Sequence, residues 1–127
     1  MTVPRNILAC LFVAVLVLPA RADEVPSGQP VSRIEVIEEQ ALGGLVLRYR
    51  FLAPEAAAVD FEARLEDMAH LCDSIILPEI QTRSPAPVRV VVSLSEAPVV
   101  FGARDPATAQ FFEAYRLEDS RCIWEAF

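Results

Sequence analysis

Cys72 and Cys122 carry the most definite chemistry in this chain. Cys10, Cys72 and Cys122 are the three cysteines in 127 residues, and an odd count ordinarily points to a free thiol. Cys10, however, lies in a segment with the order of a secretory signal. Arg5 precedes an apolar run from Ile7 to Leu18, and Ala20-Arg21-Ala22 follows as a small-x-small cleavage signature before Asp23-Glu24. The run holds 12 residues, whereas a membrane-spanning helix needs about 20. Cleavage after Ala22 would remove Cys10 and leave one cysteine pair. In an oxidising export compartment such a pair forms a structural disulfide. The competing readings are a redox pair, which favours a C-x-x-C spacing that is absent, and a zinc site, which needs ligands beyond the single histidine, His70.

His70 is flanked by Glu66, Asp67 and Asp73. A helical Glu-x-x-x-His pair can offer two metal ligands, but these residues point away from the apolar stripe of their segment. They read as a solvated helix face with an i,i+4 interaction. Ser93 and Ser95 sit in a strand-like stretch with no Gly-x-Ser-x-Gly setting. No nucleophile–base pair and no cofactor motif emerges, so the catalytic set is empty and no cofactor or metal is expected. The arginines are more informative. Arg48, Arg50 and Arg89 project opposite rows of apolar residues, and Arg33 alternates with Ile34 and Val36. On neighbouring strands they would form a guanidinium face suited to carboxylates and phosphates. Cross-strand pairing with Glu35 and other acids is the competing arrangement.

These residues need a scaffold. "DEVPSGQP", residues 23–30, is polar and rich in Pro and Gly, and reads as a flexible arm without regular structure. "VSRIEVIEEQ" and "LVLRYRF" are strands joined by a Gly43-Gly44 hairpin. Asp60 caps a helix to about Leu77 that buries Phe61, Leu65, Met68, Cys72, Ile75 and Ile76. Pro78 ends it. "VRVVVSLS" is a strand and "VVFG" a short strand or extended edge. Asp105-Pro106 looks like a cap followed by proline at the first helical position, predicting a second helix to about Tyr115. "RCIWEAF" alternates and reads as a last strand that turns Cys122 and Trp124 to one side, with Trp124 covering the bridge. The expected fold is α+β. An antiparallel sheet of four to five strands carries two helices on one face, in ββαββαβ order, as in a ferredoxin-like sandwich. Residues 31–127 would form one domain.

The whole chain has 11 arginines, no lysine and 18 acids, for a net charge of −7. Removing residues 1–22 takes away two arginines and no acid, leaving −9. Such a balance disfavours nucleic acid and, once the signal is gone, an anionic membrane surface.

At "DMAHLC", "VVVSLS", "DPATAQFFEAYR" and "CIWEAF", with "VPSGQPV" near the start, the chain resembles a family of small exported proteins of Gram-negative bacteria known only as a domain of unknown function. The resemblance covers nearly the whole chain after residue 22. It implies periplasmic export and a single domain, and carries over no catalytic residues. The acetolactate synthase label borne by some similar chains does not fit, because a thiamine-diphosphate enzyme is several times longer and needs a metal–diphosphate motif. The reading is a small, acidic, disulfide-bonded, secreted module without catalytic activity. It would dock a periplasmic protein or an anionic ligand on Arg33, Arg48, Arg50 and Arg89. A small envelope enzyme or inhibitor with a loop-built site is the alternative.

Overall fold

The computed structural model describes residues 2, 22–41 and 43–126. Residues 3–21 of the expected signal segment, including Cys10, lie outside the described residues. Five strands form one sheet: β1 (Ser32–Ala41), β2 (Gly44–Leu52), β3 (Arg89–Ser95), β4 (Gln110–Glu118) and β5 (Arg121–Glu125). They lie side by side in chain order. The sheet is mixed, with β2 and β3 parallel and the other neighbours antiparallel. Between β2 and β3 runs α1, a single helix of 20 residues. It comprises an α-helical stretch Phe61–His70, a π turn Leu71–Ile76 and a last α-helical turn Leu77–Ile80. No helix among the described residues is long and apolar enough to cross a membrane.

The order is therefore ββαβββ. The expected antiparallel ββαββαβ sandwich with two helices is overturned at one segment. Asp105 does cap a turn: its carboxylate accepts from Ala107 N at 3.0 Å and Thr108 Oγ1 at 2.9 Å. The turn does not propagate. "QFFEAYRLE" is rich in aromatic residues that favour a pleated surface, and it alternates with period two. Phe111, Tyr115 and Leu117 meet the core under the helix, and Ala114 is buried on the other face. Pairing with β3 from Arg89↔Arg116 to Ser95↔Gln110 then outweighs the local helix signal. A two-residue turn, with Asp119 and Ser120 both at positive φ, leads straight into β5. That is the turn geometry that matches strand twist. Val99 and Val100 stay outside any strand.

The β1–β2 hairpin closes at Ala41↔Gly44. Gly44 has φ +134°, and a Cβ there would lie 2.9 Å from Val88 Cγ1. Glycine is thus required for both conformation and space. Asp60 caps α1 as expected, accepting from Ala63 N at 3.0 Å. Pro78 does not end the helix. It has no N–H to donate, and the π turn before it moves the acceptors back, so Leu77 N–H bonds Cys72 O.

The core lies between α1 and one face of the sheet. Leu47, Phe51, Met68, Leu71, Ile76, Val90, Val92 and Leu94 are fully enclosed there. Phe61, expected inside, is exposed. Cys72 on the helix and Cys122 on β5 form a disulfide across 50 residues of chain, with Cα atoms 6.2 Å apart. Asp73 adds to this tether by accepting from Cys122 N at 3.1 Å.

Asp67, read from the sequence as a solvated side chain, is 0 % exposed. Its carboxylate holds the N-terminal arm. Ser27 N donates at 2.8 Å, Ser27 Oγ at 2.5 Å and Gln29 Nε2 at 2.7 Å. The arm has no helix or strand of its own, yet Val25 within it and Val31 directly after it enter the core. It also meets the start of β1 through an Ala22↔Ser32 bridge and Asp23 N to Val31 O at 2.8 Å.

Two outcomes follow. Reducing the disulfide, or replacing both cysteines with serine, lowers unfolding free energy by about 4 kcal/mol, the chain-entropy value for a loop of this length; urea unfolding with and without reductant reads it, and equal midpoints would refute it. Asp67→Ala strands buried donors and costs about 2–4 kcal/mol. The Gly28 amide, bonded to Val25 O within the arm, should then lose hydrogen-exchange protection before the sheet amides do.

Candidate functional site

The helix covers one face of the sheet and leaves the other open. On the open face the side chains of Val46, Val91 and Ala114 form a small buried cluster. Arginine–glutamate pairs roof it. Arg48 Nε donates to Glu39 at 2.7 Å, Arg50 to Glu35, and Arg89 Nε to Glu125 at 2.9 Å. Arg116 pairs with Glu118 at 2.9 Å. The aliphatic stems of such residues shield apolar surface while their heads stay near water. Arg50 is the most enclosed of them and also donates to Val99 O, tying the β3–β4 connection to the sheet.

Arg48, Arg50 and Arg89 are thus brought onto one face, but each is closed by a carboxylate. They do not form a free guanidinium patch. Arg33 is not with them. A bulge between Arg33 and Glu35 shifts the strand's alternation, so Arg33 turns to the helix side. There it donates to Glu79 at 2.7 Å and lies 5.0 Å from the Tyr49 ring centre. Plain alternation along "SRIEV" hid that inserted residue, and nothing else in the sequence marks it.

Beside Arg50 the β3–β4 connection folds over the open face. The Phe101 ring lies under two guanidiniums, Arg48 at 5.9 Å and Arg50 at 5.8 Å, a cation–π arrangement. Next to it is an open cleft of about 640 Å³ lined by Arg50, Val100, Phe101, Arg104, Gln110 and Phe112 among others. Its apolar walls are unusually wet: Val100 is 79 % exposed, Phe101 48 % and Phe112 50 %. Sequence reasoning placed Phe112 in a helix and Phe101 on a short edge strand, so this cleft was not foreseen. The one visible signal was the density of apolar residues in "VVFG" and "FF" flanking a proline turn.

The residues considered for catalysis are dispersed. His70 lies on the helix, 3.5 Å from Ser74 Oγ through Nδ1, whereas Ser93 is on the opposite side of the sheet. Ser95 Oγ donates to Ala97 O. Asp67 and Asp73 are engaged by the arm and by β5. Among the described residues no group of three His, Cys, Asp or Glu side chains could hold a metal ion.

The groups with displaced acidities are structural. Tyr49 donates to Glu79 Oε2 at 3.2 Å. Burial, reinforced by the Glu79 charge, pushes its pKa from 10.0 up to about 12. Arg33 is raised by its hydrogen bond to Glu79. Burial also raises Tyr115, with Glu113 and Asp73 adding to the effect.

A family model described as a family of unknown function (DUF6497) matches residues 10–127. Comparison with curated proteins finds no match, and comparison with solved structures finds none.

A raised tyrosine pKa means that folding favours the neutral phenol. The Tyr49 contribution is complete below about pH 10 and is lost as pH rises through about 12. Phenolate absorbance should show both tyrosines of the chain titrating late, with alkaline unfolding in that window. Ordinary titration of either in the folded protein would contradict the enclosure.

Proposed function

We propose a docking role for this chain, which belongs to the family of unknown function (DUF6497): an exported, non-catalytic accessory module that receives a protein partner on the open sheet face. Export to the periplasm of a Gram-negative cell is supported by the order of Arg5, the apolar run and Ala20-Arg21-Ala22, and by a bridge that suits an oxidising compartment.

The observation that carries the docking role is the cleft beside Arg50, with Val100, Phe101 and Phe112 on its walls. Exposed aromatic residues beside arginine are the composition of protein interfaces. Because Arg48, Arg50 and Arg89 are each already neutralised by a glutamate, and Arg104 shares the cleft wall with Asp105, the face offers little net charge to a free anion. It fits an apolar side chain from a protein, with the paired charges as a polar rim. That choice separates the two partners expected from the sequence, a protein and an anionic ligand.

Placing a photo-crosslinking amino acid at Phe101 or at Phe112, in the producing cell, tests this. Both positions should yield the same discrete adduct, and the same substitution at Phe61 on the helix side should not. The recovered protein should begin at Asp23. Val100→Asp should weaken capture about tenfold, the scale of an interface anchor. No adduct from either position, or one that Phe61 also gives, would remove the reading.

A further inference from the structure

A second concavity lies on the helix side, away from the cleft. It is a notch of about 230 Å³ between α1 and the end of the sheet, lined by Leu65, Glu66, Ala69, Tyr115 and Trp124. A dry cavity of about 150 Å³ is enough for a benzene ring, so the notch has room for one side chain. Trp124 is the only tryptophan in the chain and is 54 % exposed. It stands on the same side of β5 as Cys122, as alternation predicts, but it is exposed rather than enclosed over the bridge. Its indole N–H donates to Glu113 at 2.7 Å, which anchors the ring at the rim of the notch.

The charges around the notch have one sign. Glu66 lines it and makes no ion pair among the described residues. Glu113 is bound to the indole, and Asp73 lies close enough to help raise the Tyr115 pKa. The nearby cation is directed elsewhere: Arg64 bonds the carbonyls of Ala56 and Val59 and stacks 3.9 Å from the Phe111 ring centre. His70, one turn beyond Glu66, makes no ion pair with it. Arg89 and Arg116 are held on the opposite face. The chain as a whole carries −7.

We propose that this notch is a receptor for a cationic side chain, lysine or arginine, presented by a basic polypeptide segment. The alkyl stem would lie on Leu65 and Ala69, and the cation would sit against the Trp124 ring with Glu66 as its counter-charge. Aromatic faces attract cations most strongly at tryptophan, and a free carboxylate at the rim makes the attraction selective. The excess of acids over arginines supplies long-range steering toward a basic partner. This site is independent of the open-face cleft, and failure at one leaves the other standing.

Trp124 is its own reporter. The protein, as isolated from its host, is titrated with the blocked pentapeptide Gly-Gly-Arg-Gly-Gly while tryptophan fluorescence is followed. Controls replace arginine with norleucine or with glutamate. The arginine peptide should give a saturable change with a dissociation constant of about 1 mM or tighter. Glu66→Gln, a substitution at the helix surface, should weaken binding about threefold or more, and raised salt should act in the same direction. No saturable response, an equal response to the norleucine or glutamate peptide, or unchanged affinity in Glu66→Gln would overturn the site. Tetramethylammonium binding as tightly as the peptide would overturn the polypeptide occupant.

Discussion

Five strands spaced about 4.8 Å apart make a sheet roughly 20 Å wide, and a helix with its side chains is only about 10 Å across. One helix must therefore close a face about twice its own width. The centre is simple: β2 and β3 carry continuous apolar rows, and Met68, Leu71 and Ile76 pack onto them. The flanks are what the rest of the structure has to solve. On the β5 flank the answer is covalent, the Cys72–Cys122 bridge, with Asp73 bonding the same strand residue. On the β1 flank it is the arm, which adds Val25 to the core and leads in Val31 after it. An arm of that composition has no secondary structure to hold it, so a buried carboxylate does. Asp67 offers acceptors to three donors at once, and hydrogen bonding of that quality is what makes an enclosed carboxylate tolerable.

The same shortage of helix explains the exposed aromatics. With a second helix on the sheet, Trp124 and Phe61 would have had a partner layer. Without one, Trp124 remains at the rim, anchored by Glu113. The open face has no layer at all, and there the solution is different again. Val46, Val91 and Ala114 are covered by arginine stems whose heads are neutralised across the strands. The β3–β4 connection adds Phe101 over two of those heads. Pairing of this kind removes the net charge of a face without removing its polarity, and what stays distinctive is the apolar wall beside it.

What the sequence disclosed and what it withheld follow from the range of the interactions involved. Period-two runs and Gly43-Gly44 placed four strands, because strand patterning and turn chemistry are local. Asp60 announced its helix for the same reason. The cysteine pair was legible because only two cysteines remain once the expected signal is set aside. The segment after Asp105 was misread because its cap is also local and is real. Whether a turn continues as helix depends on β3 lying alongside, and that is a tertiary fact. Asp67 was misplaced because helical periodicity sorts polar residues outward, and its donors sit about 40 positions away. The bulge at β1 sent Arg33 to the wrong face by a single inserted residue.

The fate of the arginines bears on function. The arginines left two arrangements open, a guanidinium face for a protein or an anionic ligand and cross-strand pairing with Glu35 and other acids, since nine arginines remain after the expected cleavage and several share a strand face. The structure spends those cations on its own glutamates. Arg33, Arg48, Arg50, Arg83, Arg89 and Arg116 each have a carboxylate partner. Six pairs account for six of the 18 acids, so the charge left for other molecules is mainly negative. A surface on which, among the described residues, unpaired acids outnumber unpaired arginines such as Arg104 and Arg121 selects for basic partners by steering, while contact specificity must come from shape and apolar anchors. The two concavities divide that work. The cleft beside Phe101 and Phe112 is roomy and electrically balanced, whereas the notch beside Trp124 is small and carries an unspent carboxylate in Glu66. The two concavities lie on opposite faces of the sheet, with Phe112 and Tyr115 of β4 lining one each, so a single partner engaging both would have to pass a sheet edge.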